Sequence, residues 1–214
     1  MHIRVKVCGI KDLRALEAAV ANGADAVGVV FADSPRRVTP LQAAALLTFA
    51  PAGITRVAVF RRPVEAELLA ALTACAFDQV QADFECEALV TATTRASFVP
   101  VFHDGPDLPR AIRDWNRAPR RGAGFVLVDG TRSGSGVHAD WDRVAGIAHD
   151  TRVVLAGGLT PENVGEAIRR AMPWGVDVSS GVESRAGVKD PSRIAAFLDA
   201  VRAAQVCHLM EEAQ

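Results

Sequence analysis

Residues 152–184 read RVVLAGGLTPENVGEAIRRAMPWGVDVSSGVES, and this segment decides the fold. A short β-branched apolar run (152–156) is followed by a stretch with apolar residues three and four positions apart (161–172), and then by a second apolar run (176–180). The pattern predicts a strand, an amphipathic helix and another strand. Because neighbouring antiparallel strands would not need a helical crossover, the two strands are expected to be parallel.

The same alternation extends over most of the 214 residues. Eight apolar runs predict strands: IRVKVC (3–8), AVGVVF (26–31), RVAVF (56–60), FDQVQ (77–81), FVPVF (98–102), FVLVD (125–129), RVVLA (152–156) and VDVSS (176–180). Helices are predicted between them, at 12–23, 41–50, 64–76 and 161–172 among others. Asp12 and Thr160 are placed as N-caps, Pro161 and Pro191 in first turns, and Gly23 at a helix end.

Eight strand–helix units in this length indicate an α/β protein, a single small (β/α)8 TIM barrel with parallel strands. An open doubly wound sheet is the structural alternative. No linker or shift in composition divides the chain, so one barrel is expected over residues 1–204, followed by a polar C-terminal tail at 205–214.

The composition limits the partners and the cellular location. Half of the residues are apolar and the net charge is −1, which excludes a disordered chain and disfavours a nucleic-acid partner. No apolar stretch approaches the roughly 20 residues of a membrane span, and the first residues lack a signal-peptide core. We therefore expect a cytoplasmic protein without a membrane partner. Cys8, Cys75, Cys86 and Cys207 are too widely spaced for a zinc site or a disulfide framework.

In such barrels the functional groups lie at the C-terminal ends of the strands. Gly157 and Gly158 follow the seventh predicted strand, and Ser180 and Gly181 lie at the end of the eighth. Backbone N–H groups there and the positive end of a helix favour a phosphate. Tight turns are the alternative explanation of each glycine taken alone.

Two reactive side chains also fall at strand ends. Cys8 ends the first strand and Asp129 the sixth, so a thiolate and a carboxylic acid can form a base and acid pair across the barrel mouth. A lone cysteine is more often a small buried apolar residue. Arg36, in the loop after the second strand, can bind a carboxylate, whereas His103 is interpreted as an ordinary loop histidine.

Strand alternation places Lys6 on the same face as Cys8, and strands one and eight are neighbours in a closed barrel. If both inner faces point inward, Lys6 and Asp177 form a buried ion pair that also brings a cation near Cys8. A Schiff-base role for Lys6 is the functional alternative to this structural one.

Five segments, in this order and spacing, resemble the phosphoribosylanthranilate isomerase family of tryptophan biosynthesis. They are VKVCGIKD (5–12), GADAVGVVFADSPRRVTP (23–40), DGTRSGSGVHADW (129–141), LAGGLTPENVGEAI (155–168) and GVDVSSGVESRAGVKD (175–190). The resemblance implies a single (β/α)8 barrel and an intramolecular oxidoreductase of the aldose–ketose isomerase class.

The implied reaction is an Amadori rearrangement of N-(5′-phosphoribosyl)anthranilate to 1-(2-carboxyphenylamino)-1-deoxyribulose 5-phosphate, by general acid–base catalysis without cofactor or metal. By resemblance, Cys8 is the general base and Asp129 the general acid. The implied substrate-binding residues are Arg36 at the anthranilate end, Asp177, and, around the phosphate, Gly157, Gly158, Ser180 and Gly181. The expected partner is a small phosphosugar, and the protein is expected to be a monomer or a homodimer.

The chain departs from the family pattern after its fourth strand, where Asp83 and Phe84 replace a histidine and a glycine. An added negative charge is expected to weaken binding of an anionic substrate unless Asp83 turns away or pairs with an arginine. Three alternatives stay open: a paralogue that isomerises a different phosphoribosylamine, a noncatalytic phosphosugar-binding barrel, and a lyase that uses Lys6.

Overall fold

The computed structural model describes residues 2–117, 122–130 and 138–211. Eight parallel strands close into a barrel in chain order, with the first strand paired to the last. The strands are β1 (Arg4–Cys8), β2 (Ala26–Val30), β3 (Thr55–Val59), β4 (Gln79–Asp83), β5 (Ser97–His103), β6 (Val126–Asp129), β7 (Val153–Leu155) and β8 (Gly175–Val178). The predicted (β/α)8 barrel is therefore confirmed, and the alternative prediction of an open doubly wound sheet is wrong.

Eight helices cover the outside of the barrel in the described ranges. They are α1 (Leu13–Ala21), α2 (Pro40–Leu47), α3 (Glu65–Ala74), α4 (Glu87–Thr93), α5 (Leu108–Arg117), α6 (Trp141–Ala148), α7 (Val164–Ala171) and α8 (Pro191–Glu211). A hairpin of β9 (Glu183–Arg185) and β10 (Val188–Lys189) lies between β8 and α8. None of the helices so described has both the length and the apolar character of a membrane span.

Most predicted helix boundaries are confirmed, with one exception. The Asp12 side chain accepts from the Ala15 amide at 2.9 Å and caps α1, and Pro191 begins α8. Thr160 does not cap α7, because its hydroxyl accepts from the Glu162 amide in a separate turn that also contains Pro161. Asn163 occupies the N-cap position instead. The glycines after the seventh strand are thus followed by a turn before the helix begins.

The last helix runs seven residues beyond the boundary placed at residue 204, to Glu211. Gln205 belongs to it, and its side-chain amide donates to the carbonyl of Ile3 at 3.0 Å. This contact ties the helix to the start of β1. The division of the chain into a barrel and a polar tail stays a prediction.

The fourth strand shows how polar residues fit into a barrel strand. Val80 and Ala82 are fully buried in the layer between the barrel and its helices. Gln81 and Asp83 alternate with them and line the cavity at the barrel mouth. Gln79 and Gln81, the polar residues of FDQVQ that belong to the strand, therefore face the interior of the barrel.

A buried ion pair joins the two strands that close the barrel. Lys6 and Asp177 are register partners on β1 and β8, and Lys6 Nζ donates to Asp177 Oδ2 at 2.9 Å. Their side chains are only 10% and 8% exposed. The predicted pair is confirmed. Burial alone would lower the pKa of Lys6, but the charges of Asp177 and Cys8 and the hydrogen bonds to them together outweigh it and hold that pKa above its ordinary value.

Removing one partner of this pair should destabilise the barrel. Lys6→Met leaves a buried carboxylate without its cation, so we expect the free energy of unfolding in urea to fall by about 3–5 kcal/mol. The double variant Lys6→Met/Asp177→Leu should recover most of the loss, because no buried charge remains. Equal stability of the single and double variants would contradict this account of the closure.

Candidate active site

One cavity of about 300 Å³ opens at the C-terminal ends of the strands. Its lining contains every predicted site residue except Gly181. Cys8 comes from the end of β1, Asp129 from the end of β6, and Arg36 from the loop after β2. The barrel therefore brings together residues that are far apart in the sequence, at the end where barrels of this type place their functional groups.

Cys8 lines this cavity, with 7% of its surface exposed. Its backbone carbonyl accepts from the Ser179 hydroxyl at 3.1 Å, which fixes the end of β1 against the segment after β8. Burial raises the pKa of the Cys8 thiol, whereas the nearby ammonium groups of Lys6 and Lys189 act in the opposite direction. The thiol is consequently protonated near neutral pH in the free protein.

Asp129 ends β6 and lies against the loop after β7. Its Oδ1 accepts from the amide of Gly130 at 2.8 Å. A Cβ atom at Gly157 would lie 2.4 Å from the Gly130 nitrogen and 3.0 Å from Asp129 Oδ1, and Gly157 has a φ of +84°. Only glycine allows this approach. The close contact places the predicted phosphate loop directly beside the predicted acid.

The loops after β7 and β8 also contact one another. A Cβ atom at Gly181 would lie 1.8 Å from the carbonyl oxygen of Leu159, so no larger residue fits there. The amides of Gly158, Ser180 and Gly181 donate to no acceptor among the described residues. Ser180 begins a short 3₁₀ turn that runs to Val182. Gly158 and Ser180 line the cavity, so their amides, unpaired within the described part of the chain, would suit an anion there.

Arg36 is held by a residue that the sequence analysis did not single out. Glu183, in β9, accepts from Arg36 Nε at 2.7 Å and from Arg36 Nη2 at 2.9 Å. Lys189 Nζ donates to the same carboxylate at 2.9 Å and to the carbonyl of Ser179 at 2.9 Å. The hairpin thus connects Arg36 to the segment that anchors Cys8. Glu183 lies within the GVDVSSGVE segment, but no local pattern shows its contact with a loop 147 residues away.

The structure also explains the two unusual residues after β4. Asp83 is buried in the cavity wall and pairs with Arg62 Nε at 3.0 Å, one of the two arrangements that would relieve its charge. Phe84 points away from the cavity, where it stacks on Phe102 with ring centroids 4.6 Å apart. The bulky ring therefore leaves the cavity open. His103 ends β5 with its Nε2 3.5 Å from Asp83 Oδ1, so its interpretation as an ordinary loop histidine is wrong.

Other predicted features are only partly described. Residues 131–137, in the middle of the motif at 129–141, lie outside the described residues, as does the side chain of Cys207. Cys75 and Cys86 are free thiols. Within the described ranges, no three His, Cys, Asp or Glu side chains come together as metal ligands would.

A family model described as N-(5′-phosphoribosyl)anthranilate (PRA) isomerase matches residues 5–200. The chain belongs to this family. N-(5′-phosphoribosyl)anthranilate isomerases from Roseiflexus sp. and Listeria welshimeri are 39% and 40% identical to it. The first alignment covers 94% of this chain and 99% of the relative, and the second covers 91% and 96%.

Solved structures of PRA isomerases have the same fold. The Thermotoga maritima enzyme superposes with a TM-score of 0.82 at 30% identity, covering 94% of this chain and all of the other. A second structure, with a TM-score of 0.79 and the same identity and coverage, is a complex with reduced 1-(o-carboxyphenylamino)-1-deoxyribulose 5-phosphate. The Thermus thermophilus protein gives a TM-score of 0.81 at 31% identity over 94% of this chain and 99% of that one.

The Glu183 pair generates a stability prediction. Glu183→Gln leaves Lys189, whose side chain is 1% exposed, without an anionic partner. We therefore expect the free energy of unfolding in urea to fall by about 3 kcal/mol. Burial would raise the pKa of Glu183, but hydrogen bonds from Arg36 and Lys189 outweigh it and lower that pKa. The stabilisation should therefore be present above pH of about 4.5 and be lost as the pH falls through the lowered value.

A matched control lies on the same hairpin. Arg185 is exposed at the end of β9, and Arg185→Gln should change the free energy of unfolding by less than about 0.5 kcal/mol. If Glu183→Gln were as stable as this control at pH 7, the carboxylate would not hold the hairpin as described.

Proposed function

We propose that this chain converts N-(5′-phosphoribosyl)anthranilate to 1-(2-carboxyphenylamino)-1-deoxyribulose 5-phosphate, with Cys8 as general base and Asp129 as general acid. One observation carries the assignment of roles: the thiol and the carboxyl group line the same cavity as two loops with free amides. Membership of the PRA isomerase family supports the reaction.

Two proton transfers account for the chemistry. Asp129 gives its proton to the ring oxygen of the ribosyl group while the bond from that oxygen to C1′ breaks, and the nitrogen lone pair forms an iminium ion. Cys8, in its thiolate form, then removes the proton from C2′, and that electron pair forms the C1′=C2′ double bond of an enolamine while the iminium nitrogen regains its lone pair. The Asp129 carboxylate takes the proton of the C2′ hydroxyl and the Cys8 thiol protonates C1′, which gives the ketone and restores both residues. Each positioned group supplies on the order of 10²- to 10⁴-fold in rate.

The ends of the substrate would be held by different parts of the cavity. The phosphate would accept from the loops at Gly157–Gly158 and Ser180–Gly181, and the anthranilate carboxylate would meet Arg36. Glu183 engages Nε and Nη2 of Arg36, and Nη1 has no partner among the described residues, so Nη1 would be available to a ligand. Asp177 Oδ1 is buried without a hydrogen-bond partner among the described groups, and a sugar hydroxyl would provide one. Binding at both ends would fix the sugar between acid and base.

The geometry favours isomerisation over the alternatives. A Schiff base requires a neutral amine, whereas Lys6 is buried in an ion pair that stabilises its ammonium form. A noncatalytic binding barrel would need neither a buried thiol nor a carboxyl group in its cavity. A paralogue specific for another amine would keep the same acid and base, so only the substrate tests below distinguish it.

The cellular context is part of the proposal. The partner would be the small phosphosugar alone, and the protein would act in the cytoplasm. Relatives include a Thermotoga maritima enzyme described as dimeric. We retain both a monomer and a homodimer, which sedimentation would distinguish.

Replacing either proposed catalytic group should slow turnover without unfolding the protein. We expect Cys8→Ser and Asp129→Asn each to reduce kcat at least 100-fold in a fluorescence assay that follows loss of phosphoribosylanthranilate. Cys75→Ser, on a half-buried thiol outside the cavity, should retain full activity. Turnover that survives both substitutions would overturn the roles, and a wild type that turns over only another phosphoribosylamine would establish the paralogue.

The pH dependence tests the base separately. Burial raises the pKa of Cys8 in the free protein above its ordinary value of 9.0, so the thiolate fraction, and with it kcat/KM, should still be increasing at pH 9. The measurement is kcat/KM between pH 7 and 10. A kcat/KM that levels off below pH 8 would show that a thiol with a raised pKa is not the base.

A further inference from the structure

A buried carboxylate in the cavity wall is contacted by two basic side chains. Asp83 lines the cavity with a side chain only 6% exposed. Its Oδ2 accepts from Arg62 Nε at 3.0 Å, and its Oδ1 lies 3.5 Å from His103 Nε2. Each oxygen of the carboxylate therefore has its own cationic or potentially cationic partner.

His103 lies between two acidic residues at the barrel rim. It ends β5, where it is in register with Asp129 of β6, and Asp83 ends the neighbouring strand β4. Its Nδ1 is buried and has no hydrogen-bond partner among the described groups. The two carboxylates stabilise the protonated form of an imidazole in this position, because one of them contacts the ring and the other is nearby.

Other charged residues lie near His103 and Arg62. Arg61 lies beside Arg62 and opposes protonation of His103. Glu85 is 3.7 Å from Arg62 Nη2, and Asp104, the residue after His103, pairs with Arg143 of α6. The contact with Asp83 is the main cause that raises the pKa of His103, against the effect of burial.

The net charge of the cluster formed by Asp83, Arg62 and His103 then depends on a single proton. The three groups sum to zero while His103 is neutral and to +1 when it is protonated. Arg61, which lines the same cavity, is a further cation in both states. The proposed substrate carries a carboxylate and a phosphate, so its binding is stronger when the cluster is positive. Without the two bases, the carboxylate of Asp83 would face that substrate without its paired partners.

We propose that His103 is a specificity-determining residue: together with Arg62 it masks Asp83, and its imidazolium form makes this wall attractive to a doubly anionic phosphosugar. The inference rests on the proposed function and deepens it, because it assigns part of the anion selectivity to β4 and β5. The protonated ring strengthens ligand binding, and by linkage a bound anion favours the protonated ring.

The experiment measures the Kd of reduced 1-(o-carboxyphenylamino)-1-deoxyribulose 5-phosphate at pH 6 and pH 9 by calorimetry. The ligand phosphate itself titrates near pH 6, so each variant is compared with the wild type at the same pH. We expect His103→Gln to bind about 3- to 10-fold more weakly than the wild type at pH 6, and to lose less affinity at pH 9, where a smaller fraction of the wild-type ring is protonated. His149→Gln, on an exposed surface histidine, is the matched control and should equal the wild type at both values.

A rescue separates charge from structure. Asp83→Asn/His103→Gln removes the negative charge together with the base and leaves Arg62 to supply +1, so it should bind at pH 6 as tightly as the wild type. Equal affinity of wild type and His103→Gln at pH 6, an equal loss at pH 6 and pH 9, or failure of the double variant to recover would each overturn the inference. A wild type that neither binds this ligand nor turns over the substrate would overturn the proposed function as well, whereas normal turnover with any of the first three results would overturn this inference alone.

Discussion

The pairing of β1 with β8 is the constraint on which the site depends. Register places Lys6 against Asp177 across this junction, and their ion pair spans 171 residues of sequence. A one-residue slip of β1 would turn Lys6 toward the helices, place its charge in an apolar layer and leave Asp177 without its cation. The same register points Cys8 into the cavity. The ion pair that costs desolvation energy therefore also selects the one closure in which the proposed base faces a substrate.

Periodicity determined most of the fold because it reports which face of each element is buried. Strands such as AVGVVF and RVVLA are apolar on both faces, as expected for strands covered by helices. The fourth strand is less regular because its inner face lines a polar cavity, yet its outer residues Val80 and Ala82 keep the strand signal. Thr160 was a plausible cap by local rules. Asn163 takes that place because residues 161–163 form a turn before the helix.

The site was predictable where it follows from strand ends, as for Cys8, Asp129 and the glycines. It was not predictable where it depends on contacts between distant segments. Glu183 could be read as a surface residue of a hairpin, and its two hydrogen bonds to Arg36 exist only because the hairpin folds over the loop after β2. The role proposed for His103 likewise depends on its contact with Asp83, and no spacing in the sequence predicts that contact.

These contacts show how the barrel mouth accommodates acids and an anionic ligand together. Asp177, Glu183 and Asp83 all have nearly buried side chains, and each lies against Lys6, Arg36 or Arg62. Asp129, the proposed acid, instead accepts only a backbone N–H among the described groups. A carboxyl group that must give up and regain a proton works best without a fixed cation, which would hold it ionised. Asp129 thus differs from these three carboxylates in its partners among the described groups, which agrees with the role proposed for it.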